Sequence, residues 1–409
     1  MINLLSLFSG AGGMDLGFEG NFSVPDPFIN TELHPDWVQS EKDGFVHLAP
    51  TEFNTVFAND IRPDAKAAWT NYFEARRNVE RVYHLESIVD LVNRAKVGER
   101  VFPDNIDIVS GGFPCNDFSV AGKRRGFNSA VSDQGKKIDP GNPAVANRGQ
   151  LYMWMRDVIQ IVKPKMFVAE NVKGLANLGD AKQIIEHDFA SADGNGYLVV
   201  PATILRAWEY GVPQSRERVI FFGFRKSCLT NRALLALSSS VVPDEYNPYP
   251  PKTHGDGLLP FATCREAFVG LEEPEVSADP SQKAYSKAKY LGDRCQGQKE
   301  IRLDSVGPTI RAEHHGNIEF RRLSAEHGGT HAEELAAGLK ERRLSVRECA
   351  RIQTFPDEYE FVFSKSKDGR PGVCASDAYK IIGNAVPPLL AYNIARNLQD
   401  KWQLYFGQA

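Results

Sequence analysis

The sequence predicts an α/β protein: a parallel sheet covered by helices, with a second, smaller and irregular domain inserted before a short return to the first. Three observations carry this. Strand-like and helix-like segments alternate through residues 1–224, the pattern of strands joined by covering helices. Periodicity then dissolves over 225–342 into clustered prolines, glycines and charges, and helical order returns over 343–409. A chain of 409 residues exceeds one ordinary core, which agrees with that division.

The apolar opening lacks a basic start and a small-residue cleavage site, so residues 4–8 read as a first core strand rather than a leader. Residues 55–58, 106–110, 166–169, 197–204 and 219–224 read as further strands. Helices are expected over 64–74 and 149–162, the latter with Leu151, Met155, Val158, Ile159 and Val162 on one face. Ser345 and Glu348 form a capping box for a helix over 347–354 that Pro356 closes, and a last helix follows Pro387 and Pro388.

Composition excludes more than it assigns. No apolar run reaches the length of a membrane span. The six cysteines (Cys115, Cys228, Cys264, Cys295, Cys349, Cys374) show no CxxC spacing, so neither a disulfide framework nor a zinc site is indicated, and no metal is expected. A reducing, cytoplasmic setting is the expectation. The net charge of −4 does not decide for or against a polyanion, because a nucleic-acid binder can be acidic overall if its cations are local. They are local here, at Lys123, Arg124 and Arg125 and across 283–322, although a solvated charged face gives the same pattern.

The candidate site residues fall at strand ends, where such sheets bind ligands. The loop FSGAGG follows the first strand; its glycines permit positive φ and close approach of backbone to a ligand, and a tight structural turn accounts for it equally. It lacks the GxGxxG spacing of dinucleotide sites. Asp60 ends the second strand, where a carboxylate accepts from ribose hydroxyls or else caps the next helix. Glu86 could end a third strand and face an adenine. Cys115 follows two glycines, Phe113 and Pro114, a rigid strand end suited to a nucleophile. Glu170 ends another apolar strand, where burial without a partner is costly. Gln214, Arg216 and Arg218 share one face if that segment is extended, aimed at an anion or a polar ring.

Taken together, FSGAGGMDLGF, GFPCNDFS, Glu170-Asn171-Val172, QSRER, RLSVRECARIQTFP and GNAVPP resemble the cytosine-5 DNA methyltransferase family over nearly the full chain and in its order. Asn116 replaces the family's usual Gln, and segments 21–53 and 128–147 are insertions. The resemblance implies a Rossmann-like S-adenosyl-L-methionine-dependent methyltransferase sheet with a target-recognition domain at 225–342. It implies that the Cys115 thiolate adds to C6 of a flipped cytosine in duplex DNA while Glu170 holds N3 and the exocyclic amine. Arg218 would hold the O2 edge, and Arg216 a phosphate or neighbouring backbone. Phe8, Gly10, Gly13, Asp60, Ile61, Glu86, Asn384 and Val386 would line the cofactor site.

Ser119, Lys123, Arg124, Gln214, Thr309 and Arg311 would face DNA, with His314, His315 and Asn317 as further candidate base readers. The implied setting is a monomer in the bacterial cytoplasm, working on nucleoid DNA beside a separately acting restriction endonuclease. Three rival readings fit the sequence less well. An RNA-directed enzyme on the same domain is opposed by the large variable segment. A catalytically silent DNA-binding regulator is opposed by the joint presence of Cys115, Glu170 and Arg218. A nicotinamide oxidoreductase is opposed by the missing phosphate-binding glycine pattern.

Overall fold

The computed structural model describes residues 1–114, 151–292, 294–312, 317–365 and 371–407. Strand β1 (Ile2–Leu7) leads into helix α1 (Gly13–Glu19), then three short strands, β2 (Ser23–Pro25), β3 (Val38–Lys42) and β4 (Phe45–Leu48). Next come β5 (Phe53–Asp60), α2 (Pro63–Glu74), β6 (Tyr83–Leu85), α3 (Ile88–Lys96) and β7 (Ile108–Gly112). From residue 151 follow α4 (Leu151–Val162), β8 (Met166–Val172), β9 (Tyr197–Arg206) and β10 (Glu217–Arg225).

Seven of these strands form one sheet in the order β6-β5-β1-β7-β8-β10-β9. The first five are parallel, while β10 runs antiparallel to both β8 and β9. The wholly parallel sheet expected from the alternation therefore ends in an antiparallel pair. Residues 207–216, which join β9 to β10, are too few for a crossover.

Neighbouring side chains enter opposite cores, as strand geometry requires. Leu4, Ile108, Val168 and Ile220 pack on α1, α2 and the C-terminal helix Pro388–Phe406. Leu5, Val109, Phe167 and Phe221 pack on α3 and α4. Burial on both faces is why these strands read as apolar runs. The expected face of α4 is inside at Leu151, Met155, Val158 and Ile159, with Val162 packed at its margin. The capping box at Ser345 and Glu348 is present, opening the helix Val346–Ile352.

The 21–53 insertion is a small antiparallel sheet ordered β2-β4-β3. It is held to the C-terminal helix by an edge-on Trp37–Tyr392 contact (5.3 Å) and an Arg396–Asp36 ion pair.

The expected domain boundary at Arg225 comes too early. Residues 226–260 stay on the catalytic body: Thr230 N donates to Tyr405 O (2.8 Å), Tyr249 Oη to Ile220 O (2.9 Å) and Asn397 Nδ2 to Pro248 O (2.8 Å). The irregular part begins near Thr263, whose own capping box starts a short helix. Its Ile301, Ile310 and Ile318 join the same core as the sheet.

Candidate active site and cofactor crevice

Strand order reverses between β1 and β7, and a cavity of about 450 Å³ opens at their carboxyl ends, as this topology dictates. At one end lies the glycine loop. Phe8, Gly10 and Gly12 all have positive φ (53°, 54° and 69°), a conformation that is strained at Phe8. Gly13 serves a different purpose: a Cβ there would lie 2.2 Å from Val386 O, so only glycine lets α1 meet the C-terminal return. Gly10 N donates to Asp60 Oδ2 and Arg62 N to Oδ1, both at 3.0 Å. Burial raises the Asp60 carboxyl above its ordinary pKa, against those backbone donors.

These features fit S-adenosyl-L-methionine. A half-buried carboxylate with lone pairs to spare suits a ribose diol, and Phe8, Ile61 and Ile88 offer apolar wall for a purine. Phe8, Gly10, Gly13, Asp60, Ile61, Asn384 and Val386 all line the cavity. Glu86 does not. Its carboxylate turns away to Arg94 on α3 (2.6 Å), and Ser87 and Ile88 line the crevice instead.

At the other end stand Glu170 and Arg218. Glu170 is 7% exposed near the end of β8, and Arg218 stands second in the neighbouring β10, opposite Val172. Arg218 Nε meets Glu170 Oε1 at 2.6 Å, and its Nη1 donates to Glu217 O at 2.8 Å. Glu170 Oε2 lies 2.8 Å from where a Cβ on Gly112 would be, so the second glycine before Cys115 makes room for this carboxyl. Burial pushes the Glu170 pKa up, with Arg218 and Arg216 opposing. Asn171 Nδ2 donates to Phe113 O (3.0 Å), fixing the strand end that leads to Cys115. Cys115 itself, with Ser119, Lys123, Arg124 and the 128–147 loop, lies outside the described residues, as do His314 and His315.

Residues 2–400 match the family model for C-5 cytosine-specific DNA methylases. The chain belongs to this family. It is an enzyme of cytosine-5 DNA methylation. Among similar proteins, the type II methyltransferase M.BsuRI of Bacillus subtilis is 34% identical, over 99% of this chain and 80% of its own length. M.NgoPII of Neisseria gonorrhoeae is 30% identical, over 96% and 94%. Two solved structures share the fold: S. pombe Dnmt2 methyltransferase (TM-score 0.55, 18% identity) and the Entamoeba histolytica methyltransferase EhMeth (TM-score 0.57, 15% identity). Each covers 98% of this chain and 99% of its own.

Two of the methylase residues expected to touch DNA are internal. Arg216 is 1% exposed and donates to Ile310 O (3.0 Å), Gly383 O (2.8 Å) and Ala385 O (2.7 Å), tying the variable segment and the C-terminal return to the sheet. Gln214 is fully buried, donating to Ile352 O (3.3 Å) and accepting from Ile310 N (3.0 Å). The three residues do not share a face because 214–216 form a turn, with Arg216 N bonded to Gln214 O. Thr309 and Arg311 line the cavity, Thr309 Oγ1 donating to Ser215 O (2.6 Å) and Arg311 pairing with Glu319 (3.1 Å).

Two supports of the glycine loop escaped the sequence reading. Tyr83 Oη donates to Gly10 O (3.1 Å) and Tyr359 Oη to Ala11 O (2.6 Å). Neither tyrosine stands out in a chain with thirteen of them. Asp15 is different: a carboxylate inside the apolar MDLGF stretch was a visible anomaly, and it is wholly buried.

Proposed function

We propose that this methylase acts on C5 of a flipped cytosine within a specific duplex DNA sequence, as the modification partner of a separately acting restriction endonuclease. The observation that carries the reading is the buried Glu170–Arg218 pair, opening into the cavity that Asp60 and the glycine loop also line. Relatives named as type II methyltransferases, matching across almost the whole chain, support the restriction–modification setting.

The chemistry follows from the base. C5 of cytosine is a weak nucleophile while the ring is aromatic, and within the duplex it is out of reach, so the base must leave the stack. Addition of the Cys115 thiolate forms an S–C6 bond and moves the C5–C6 π pair into the ring. Glu170 delivers a proton to N3 as that charge builds. A carboxyl whose pKa burial raises suits this task. Arg218, held by Glu170 and Glu217 O, presents its guanidinium edge to O2. S-adenosyl-L-methionine, when bound, supplies the methyl group. Loss of the C5 proton, departure of Cys115 as thiolate and return of the N3 proton to Glu170 then restore the neutral aromatic ring.

Bisulfite sequencing of DNA from a host expressing the protein tests this. The expected result is conversion-resistant cytosine at one position of one short sequence. Resistance scattered without sequence context, or confined to RNA, would overturn the reading.

A further inference from the structure

The proposed mechanism leaves one carboxylate behind the crevice wall unused. Asp15 Oδ1 accepts from Ser6 Oγ at 2.5 Å, and Oδ2 from Trp69 Nε1 at 2.8 Å. The chain of contacts runs on toward the ligand. Ser9 Oγ lies 2.9 Å from Ser6 Oγ and 3.1 Å from Ser6 O, and it accepts the N–H of Asn59 at 3.1 Å. Ser6 and Ser9 both line the cavity.

A hydroxyl has one proton and two acceptor lone pairs. An ionised Asp15 only accepts, so Ser6 must donate to it, and Ser9 in turn directs its one proton at Ser6. The cavity then meets a lone pair of Ser9. If Asp15 is protonated, its own O–H can donate to Ser6. Ser6 can then turn its proton to Ser9, and the Ser9 proton, released from Ser6 Oγ, is shared between Ser6 O and the cavity. The polarity of the wall is thus set at its buried end.

We propose that Asp15 is a positioning residue for the cofactor: acting through Ser6 and Ser9, its charge makes the crevice wall a hydrogen-bond acceptor, matched to the ammonium and hydroxyl donors of S-adenosyl-L-methionine. This rests on the crevice being the cofactor site. Burial raises the Asp15 carboxyl to about 6, with the Ser6 and Trp69 hydrogen bonds pulling the other way. The groups facing it are Ser6 on β1, Trp69 on α2, Tyr83 on β6 and Tyr359 near the C-terminal return. The nearest charges are Glu19 on α1 and Arg77 beyond α2, themselves paired at 2.7 Å.

The sign follows directly. Above about pH 6 the chain is inward-pointing and favours the cofactor; as pH falls through 6 the affinity drops. For folding the sign is reversed. A carboxyl raised in the folded state favours folding when protonated, a contribution lost as pH rises through about 6. Asp15→Asn, which mimics the protonated form, should therefore match or exceed the wild-type thermal midpoint at pH 7.5 while binding cofactor less well. A merely structural role would lower both.

The test is titration calorimetry of S-adenosylhomocysteine, which keeps the donors but cannot react, into the full-length protein from pH 5 to 8. Wild-type affinity should weaken by about tenfold as pH falls from 8 to 5, the worth of roughly one hydrogen bond. Asp15→Asn and Ser9→Ala should be weaker at pH 7.5 and flat, whereas Asp60→Asn should be weaker throughout yet keep the fall. A flat wild type, or a fall retained in Asp15→Asn or Ser9→Ala, overturns the proposal, as does a fall lost in Asp60→Asn. Should Asp15→Asn not fold, Ser9→Ala decides alone. No binding to the wild type at any pH would instead remove the cofactor reading of the crevice.

Discussion

At the carboxyl edge of the sheet, Glu170 and Arg218 meet at 2.6 Å on the wall of an open cavity, each with atoms turned toward it. In the irregular part and the helix that follows it, charge is closed in on itself. Arg322 pairs with Glu273 (3.1 Å) and Glu334, Arg342 with Glu273 and Glu348 (2.8 Å each), and Arg347 with Asp279 (2.6 Å). Arg343 donates to the carbonyls of Ala288 (2.8 Å) and Gly297 (2.7 Å). Of the basic stretch 283–322, Lys283, Lys287, Lys289, Arg294, Lys299 and Arg302 are exposed, as a local cationic face requires, whereas Arg321 and Arg322, at its end, are buried and paired. The difference teaches that position, not abundance, marks a functional charge. A strand end over a crevice leaves a charge buried yet aimed into the cavity, whereas a segment short of apolar periodicity uses arginine as its internal cement, satisfying carboxylates and stray carbonyls together.

The largest expected effect lies at the sheet end. Glu170→Gln should lower the single-turnover methylation rate by on the order of 10²-fold or more while leaving DNA affinity nearly unchanged. An unchanged rate would make Glu170 structural and dissolve the contrast. Arg216→Ala sharpens it, since this arginine lies in the same QSRER motif as Arg218 but is closed in like those of the irregular part. Leaving three buried carbonyls short should cost on the order of 3 kcal/mol in denaturant unfolding. Arg218→Ala should cost less stability, because Glu170, its pKa already raised by burial, can take up a proton, and far more activity.

Smaller effects follow. Asp60→Ala should raise the cofactor KM by about tenfold or more, the worth of one charge-assisted hydrogen bond. Damaged DNA binding with a normal cofactor KM would contradict the ribose assignment. The least effect concerns acid stability. Burial works to raise the Glu273 carboxyl, but Arg342 and Arg322 outweigh it and hold the pKa at about 2. Its stabilisation is therefore complete above its unfolded pKa near 4.5 and is lost as pH falls toward 2. Glu273→Gln should flatten the acid limb of the stability curve and leave methylation kinetics alone.

The sheet was legible because strands buried on both faces must be apolar runs, and the strand-end residues Asp60, Glu170 and Arg218 were legible because function in this topology gathers there. What stayed hidden depends on distant partners. Nothing near Arg216 marks it as internal, since its carbonyl acceptors come from Ile310, Gly383 and Ala385. Glu86 does follow its predicted strand, but Arg94, one turn into the next helix and beyond, draws its carboxylate out of the crevice. The boundary at Arg225 comes too early because residues 226–260, though short of long periodicity, pack on the catalytic body through the short helix Asn231–Leu237, with Ala233 and Leu237 buried, and through single tyrosine and backbone contacts.

The central claim, that the sheet end presents the reacting groups to a flipped cytosine, is tested most directly by trapping. Duplex DNA carrying 5-fluorocytosine in the methylated sequence, incubated with the protein and S-adenosyl-L-methionine, should give a denaturant-stable adduct, because fluorine cannot leave as a proton. Peptide mapping should place the adduct at Cys115, and Cys115→Ala should give none while binding S-adenosylhomocysteine within a few-fold of wild type. No adduct from the wild type, or an adduct on Cys264, Cys349 or any residue other than Cys115, would contradict the account.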